Sequence, residues 1–280
     1  MNPSPSRRIA TATLRRYGEA AEVPGPLPGL DALAVLNERS VCRRYRPDPV
    51  PEGLMRLLCA TALASPTKSD LQQADIVRVV SAGKRAVIHA ALPGSPWIAG
   101  APELLVVCGD GFRLRRVFER RGANFPNEHL DAFFNAAVDG AIVLSTLVQA
   151  AELAGLGSCP ISEVRNHAAR IAALLELPDW VFPIAGLTLG YPDSKEPFSP
   201  RLALTATVHV DRYDASRVEA ELDAYDERRI RDRPYMRQRQ PDRFGRTERY
   251  GWTEDKFRQY SDSQRADFGA FVRAKKYRLD

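Results

Sequence analysis

The stretch AAELAGLGSCPISEVRN, residues 150–166, connects two helical patterns and contains two glycines, a proline and an arginine. Before it, residues 130–155 form the longest apolar helical pattern of the chain, and after it residues 167–177 repeat apolar side chains at helical spacing. Two helices can be joined by fewer special residues than these. We therefore predict a loop over 155–166, which is either an irregular turn or a segment that wraps a flat polar ligand.

Short apolar runs alternate with helical patterns on both sides of this stretch. Strands are predicted at 75–81, 103–108, 181–192 and 202–213, and helices at 30–36 and within 47–65. The run ELLVVC (103–108) is apolar throughout, which indicates a central strand. This order predicts an α+β fold or a three-layer α/β core at 30–211, after an arm at 1–29 and before an arginine-rich extension at 212–280.

Composition limits the classes of function. The 280 residues carry a net charge of +5 and a pI of about 9.1, which favours an anionic partner such as a phosphorylated cofactor or nucleic acid. The four cysteines are far apart and the four histidines lack ligand spacing, so no disulfide framework or metal site is expected, and we predict a cytoplasmic protein. Polar residues interrupt the longest apolar run, which argues against a membrane span.

Two segments contain residues that suit a phosphorylated ligand. ERSVCRRYRPDP (38–49) has four arginines and a serine, which are bidentate and hydroxyl donors for phosphate, although a solvated basic loop has the same composition. SPTKSDLQQ (65–73) has small hydroxyl residues and exposes backbone N–H groups, as a ligand loop or an ordinary polar turn would.

Taken in order, these segments resemble the nitroreductase family of flavoproteins, and within it the NADPH-dependent nitro and flavin reductase branch. The resemblance covers about residues 30–205. It rests on RSVCRRYRPDPVP (39–51), ASPTKSDLQ (64–72), AAELAGLGSCPISEVRN (150–166), LLELPDWVFPIAGLTLGYP (174–192) and SPRL (199–202). AYDERRI (224–230) also resembles the start of that branch's C-terminal extension.

The resemblance implies a three-layer α/β/α fold with a mostly antiparallel sheet, a homodimer, and non-covalent FMN reduced by NADPH or NADH. Arg39, Ser40 and Arg43 would hold the FMN phosphate or flavin edge, with charge added by Arg201. The segment Pro66, Thr67, Lys68, Ser69 and Asp70 would follow the ribityl chain and ring. The segment Pro160, Ile161, Ser162 and Glu163 would cover one flavin face, with a backbone N–H near N5.

The implied activity is an FMN-dependent NAD(P)H oxidoreductase that passes hydride to a small acceptor, without a catalytic side chain from the protein. Several positions depart from the family pattern. The segment RSVCR (39–43) has one residue more than the family's Arg-Ser-x-Arg motif, Asp70 replaces an asparagine or apolar residue, and Ser162-Glu163 replaces Gly-Gly. These departures leave a non-catalytic flavin-fold sensor as the alternative function.

The extension at 212–280 has nine arginines against three acids between Arg228 and Arg249. It either packs on the core or a partner subunit, or supplies a guanidinium to the 2′-phosphate of NADPH. Nucleic-acid binding is the less favoured interpretation because no recognised motif accompanies the charge.

Overall fold

The computed structural model describes residues 3–194 and 196–280. They divide into two compact units: a terminal unit, Met1–Ser40 with Pro197–Gln264, and a sheet unit, Val41–Glu196 with Arg265–Asp280. The three sequence ranges expected above as domains stay predictions.

The sheet unit contains all four strands that the described residues form. The strands are β1 (Ala74–Arg78), β2 (Glu103–Asp110), β3 (Gly157–Ile161) and β4 (Val181–Gly190). Their order is β1-β2-β4-β3 and every pair is antiparallel. The helices of this unit are α3 (Glu52–Leu63), α4 (Ala82–Ala91), α5 (Phe112–Glu119), α6 (Leu130–Leu153), α7 (Ala168–Leu174) and α12 (Phe268–Ala274). Short 3₁₀ helices span Lys68–Asp70, Pro96–Gly100 and Ser162–His167.

Strand β2 is buried along its whole length, which confirms the predicted central strand. Its side chains alternate between two cores: Leu105 and Val107 pack in a cluster with α3 and α6, whereas Leu104 and Val106 pack in a cluster with α4 and α7. Helices therefore cover both faces of the sheet, as the predicted three-layer fold requires.

The terminal unit is helical. It contains α1 (Pro5–Tyr17), α2 (Leu30–Asn37), α8 (Leu204–Thr207), α9 (Val218–Asp232), α10 (Pro241–Phe244) and α11 (Trp252–Tyr260). Helix α1 lies within the segment expected to be an arm, and Ser4 caps its N-terminus. The extension is ordered around a buried arginine: Arg258 is 1% exposed, donates to the carbonyls of Arg239 and Gly245, and pairs with Glu254 at 2.6 Å.

Two sequence expectations are wrong. The strand expected at 202–213 is absent, and the four-residue helix α8 lies there instead. Val208 and Val210 are 63% and 79% exposed, because alternating apolar residues form a stable strand only where a neighbouring strand pairs with them. The loop expected at 155–166 contains β3, paired with β4 from Gly157↔Gly190 to Ile161↔Gly186. Glycine is required at 157, since a Cβ there would lie 2.5 Å from Cys42 Cβ.

Helix α6 corresponds to the longest apolar helical pattern of the sequence, and it buries one of its faces. Ala136, Asp139, Val143 and Leu147 are on the buried face. Among the described residues, α6 is the single helix long and apolar enough to cross a membrane, and 39% of its most apolar window is buried. Because its buried face packs in the α3–β2 cluster, α6 has the position of a core helix.

Candidate functional site

A polar loop next to α6 contains the predicted residues Pro66, Thr67, Lys68, Ser69 and Asp70. It borders a cavity of about 290 Å³ lined by Pro66, Thr67, Gln72, Gln73, Asp75, Arg113, Asp139 and neighbouring apolar residues. Ser69, Asp70 and Gln72 have φ of 51°, 57° and 53°, in the left-handed region that non-glycine residues rarely adopt. Strained backbone of this kind persists only where the surroundings hold it, and it clusters at functional sites.

Asp139 holds this loop from the buried face of α6. Its side chain is 3% exposed and accepts hydrogen bonds from the Thr67 hydroxyl, from Gln73 N at 3.0 Å and from Lys68 N at 3.3 Å. The Thr67 hydroxyl in turn accepts from Gln72 N at 2.8 Å. These donors satisfy the oxygens of a carboxylate that is buried away from water. The sequence leaves two interpretations for Asp139 within this apolar helix, a buried functional acid or, in preference, a hydrogen bond to another helix; the described contacts of its carboxylate go to the loop.

Gln73 is a functional candidate that sequence reasoning missed. It is 3% exposed and lines the cavity, and its Oε1 has no hydrogen-bond partner among the described residues. An orphaned buried acceptor costs free energy unless a ligand or water donates to it. Gln73 therefore suits a ligand that brings a hydroxyl or N–H group, such as a ribityl chain or a flavin ring.

Arg113 supports the far end of the loop. Its guanidinium donates to the Gln72 and Ala74 carbonyls and pairs with Asp75 at 2.7 Å and Asp110 at 3.0 Å. Burial, and then a side-chain hydrogen bond with Asp75, raise the pKa of Asp110 to about 6, against the lowering effect of Arg113. This carboxyl therefore titrates close to neutral pH.

The predicted flavin-face segment follows β3. Pro160 and Ser162 are exposed, whereas Ile161 is 3% exposed and packs in the α4–α7 cluster. The side chain of Ile161 is therefore not available to a ligand. Glu163 accepts from Ser95 Oγ at 2.7 Å and from Gly94 N at 3.3 Å, so its carboxylate fastens a neighbouring turn.

Arg265, which sequence reasoning did not single out, lies against the same segment. It donates to Asn166 Oδ1 at 2.7 Å and lies 3.5 Å from Ser162 Oγ. Arg43, predicted at the phosphate, is exposed, and its guanidinium lies 4.7 Å from the centre of the Trp97 ring.

The other predicted arginines belong to the terminal unit, where they surround Arg16. Arg16 is 7% exposed and donates to the carbonyls of Asn37, Arg39 and Ser199, and its own carbonyl accepts from Arg201 N. Burial, followed by the charges of Arg201 and Arg39, lowers the pKa of Arg16. The guanidinium of Arg16 is therefore repelled by two neighbouring cations, and an anion close to it would relieve that repulsion.

Arg39 is the predicted residue that most needs a ligand. Its Nη1 is buried and has no hydrogen-bond partner among the described residues. Ser40 is half-buried at the end of the same segment, and Arg201 is exposed. The neighbouring Glu38 is already paired with Arg8 at 2.7 Å. The orphaned Nη1 of Arg39 is a donor of the kind that a phosphate oxygen satisfies.

Comparison with known proteins identifies the family to which the chain belongs. Residues 36–191 match the nitroreductase family, and residues 199–280 match the C-terminal domain of that family. The FMN reductase [NAD(P)H] of Bacillus subtilis strain 168 is 31% identical over 201 residues, which is 70% of this chain and 80% of that protein. The NADPH-flavin oxidoreductase of Vibrio harveyi is 30% identical over 193 residues, 69% of this chain and 78% of that protein.

Solved structures agree with the sequence relatives. The hypothetical oxidoreductase YcnD from Bacillus subtilis superimposes with a TM-score of 0.81 and 26% identity, over 89% of this chain and 99% of that chain. The match to the C-terminal domain explains why residues 212–280 are ordered although they have few apolar side chains. The chain is a member of the nitroreductase family, with the family's fold and its C-terminal domain.

Proposed function

We propose that this protein is an FMN-dependent NAD(P)H oxidoreductase that transfers hydride from NADPH or NADH, through FMN, to a small acceptor such as a nitroaromatic, a quinone or a free flavin. The names of its relatives support this activity: an FMN reductase [NAD(P)H], an NADPH-flavin oxidoreductase, and the oxygen-insensitive NADPH nitroreductase of Salmonella typhimurium.

The observation that carries the proposal is that the buried Nη1 of Arg39, next to Arg16, has no acceptor in the part of the chain that the structure describes. A buried guanidinium N–H that has no acceptor in the protein is satisfied when a phosphate oxygen accepts from it. We assign the FMN phosphate to Arg39, Ser40 and Arg201, with Arg43 as a further cation. Arg16 positions this set through the Asn37, Arg39 and Ser199 carbonyls.

The isoalloxazine ring and ribityl chain are assigned to the Pro66–Asp70 loop and to the Pro160–Glu163 segment. FMN, when bound, supplies a ring that accepts and donates hydride. The protein's contribution is orientation: Asp139 fixes the loop, and β3 fixes the backbone of Ile161. Gln73 Oε1 offers an acceptor to a ligand hydroxyl or N–H group, and Arg265 holds Asn166 next to the ring segment.

We also propose a cytoplasmic homodimer. Leu130, Phe134, Val138 and Leu153 of α6 are 51%, 60%, 37% and 50% exposed in the single chain. Apolar side chains repeated along one helix are commonly buried by a second copy of a chain. Size-exclusion chromatography with light scattering would give about twice the 31.1 kDa mass of one chain.

The activity is tested on the purified protein. We expect a yellow preparation that releases FMN on heating, identified by mass spectrometry, and that oxidises NADPH with menadione or nitrofurazone as acceptor. A colourless protein that does not bind added FMN would disprove the proposal. A yellow protein that consumes neither NADPH nor NADH with any of these acceptors would instead be a flavin-binding sensor.

A further inference from the structure

A second basic cleft, next to the Arg16–Arg39–Arg201 cluster, lies within the terminal unit. It is formed by the C-terminal turn of α1, the segment Pro197–Pro200 and the C-terminal turn of α9, and has a volume of about 470 Å³. Its lining residues are Leu14, Arg15, Gly18, Pro197, Phe198, Pro200, Arg228, Arg231, Asp232 and Arg233. This volume is in the range of small-molecule sites.

The cleft is strongly cationic. Four arginines line it against one acid, Asp232, which is paired with Arg231 at 2.8 Å. Arg228 donates to the Arg201 carbonyl at 2.8 Å and Arg233 donates to Ser199 Oγ at 2.8 Å, so both are held in place by neutral acceptors. The lining therefore carries a net charge of +3, from four guanidinium groups and one carboxylate.

Arg228 also has an unsatisfied group. Its Nε is buried and has no hydrogen-bond partner among the residues that the structure describes. Basic residues at the C-terminal ends of α1 and α9 interact favourably with the helix dipoles, and this interaction accounts for the positive charge of these two turns. That role does not require the guanidinium groups to surround a cavity or to leave a donor unpaired.

The wall of the cleft is apolar. Leu14, Pro197, Phe198 and Pro200 contribute most of the uncharged surface, and the Phe198 ring is fixed by the Arg16 guanidinium 4.6 Å from its centre. An apolar wall under a rim of guanidinium groups suits a ligand that has a flat apolar body and a phosphate group. Inorganic phosphate would leave the wall uncovered.

We propose that this cleft binds a nucleoside phosphate, with the base against the Leu14–Phe198 wall and a phosphate among Arg15, Arg228 and Arg233. Two sources share this chemistry: the 2′-phosphoadenosine end of NADPH, and a free adenine nucleotide that acts as an effector. The NADPH source rests on the proposed function, whereas nucleotide binding itself does not.

Binding is measured by isothermal titration of the full-length flavin-loaded protein with adenosine 2′,5′-bisphosphate and with ATP. Arg15→Gln removes one exposed cation, and Leu14→Glu places a carboxylate at the 53%-exposed wall position. Both positions are on the surface of α1, so the fold is expected to persist. The matched control is Arg237→Gln, an exposed arginine of the extension that does not line the cleft.

We expect Arg15→Gln to raise the Kd of the preferred probe about tenfold and Leu14→Glu to raise it further, with Arg237→Gln equal to wild type. If NADPH is the source, adenosine 2′,5′-bisphosphate is the tighter probe, and Arg15→Gln raises KM for NADPH more than KM for NADH. If a free nucleotide is the source, ATP is the tighter probe and the ratio of the two KM values stays at the wild-type level.

The proposal is overturned if neither probe binds at millimolar concentration, or if Arg15→Gln and Leu14→Glu bind both probes as tightly as wild type. Flavin content and turnover are measured on the same preparations. A yellow, active protein that binds neither probe would thus reject the cleft and leave the oxidoreductase function intact.

Discussion

Asp139→Asn tests whether one buried carboxylate organises the candidate flavin loop. An amide oxygen in the place of Oδ2 can still accept from the Thr67 hydroxyl and Gln73 N, but the amide NH₂ then faces Lys68 N and leaves that donor unsatisfied. The two retained bonds also lose their charge assistance. The lost bond to Lys68 N and the weaker bonds to Thr67 and Gln73 together cost about 3 kcal/mol, which is the loss that we expect in the free energy of unfolding.

For a unit of this size, 1 kcal/mol corresponds to roughly 2–4 °C in Tm, so the variant should melt roughly 6–12 °C below wild type. Flavin affinity should also fall. The left-handed conformations of Ser69, Asp70 and Gln72 cost about 1 kcal/mol or more each, and a loop freed from Asp139 relaxes out of them. If the competent loop drops to about a tenth of the population, the apparent Kd for FMN rises about tenfold.

The assays are thermal unfolding of the apoprotein and fluorescence titration with FMN. The control is Asp131→Asn, two turns earlier on α6, which removes an exposed carboxylate paired with Lys68 Nζ at 3.0 Å. We expect this control to melt and bind FMN as wild type does. An unchanged Tm and Kd in Asp139→Asn would refute the anchoring role, and equal losses in both variants would assign the effect to charge on the helix.

Three other predictions follow from the contacts. Arg39→Gln should raise the Kd for FMN about tenfold while Arg237→Gln leaves it unchanged, because the buried Nη1 of Arg39 has no acceptor within residues 3–194 and 196–280; equal affinities in a flavin titration would contradict the phosphate assignment. The pKa of Asp110 is raised to about 6, which means that folding favours the protonated carboxyl. The contribution of this carboxyl to the stability of the fold is therefore complete below about pH 4 and is lost as the pH rises through 6. Across that window the free energy of unfolding of wild type should fall by roughly 2–3 kcal/mol relative to Asp110→Asn, and parallel pH profiles from urea unfolding would count against this. Arg258→Gln should destabilise the C-terminal extension by about 3 kcal/mol because it removes a buried guanidinium that donates to two carbonyls and pairs with Glu254; unchanged proteolysis of the extension would show that the contacts are dispensable.

The sequence by itself determined the elements whose patterns are local. The continuous apolar run of β2 predicted a strand buried on both faces, and the 3.6-residue periodicity predicted α3 and α6. The order of the motifs was enough to recognise the family, because the glycine, proline and arginine residues of a cofactor-binding loop occur at characteristic spacings. The basic character of the candidate phosphate residues also came from composition alone.

Only the tertiary structure decided which residues support one another. Residues 157–161 form a strand because β4, more than twenty residues later, offers its edge, and the apolar residues at 208 and 210 form none because no strand is beside them. Arg16 and Asp139 gain their roles from partners far away in sequence: the Ser199 carbonyl for Arg16, and the backbone of residues 68 and 73 for Asp139. A hydrogen bond between distant segments depends on where the chain folds, and no local pattern of residues records that position.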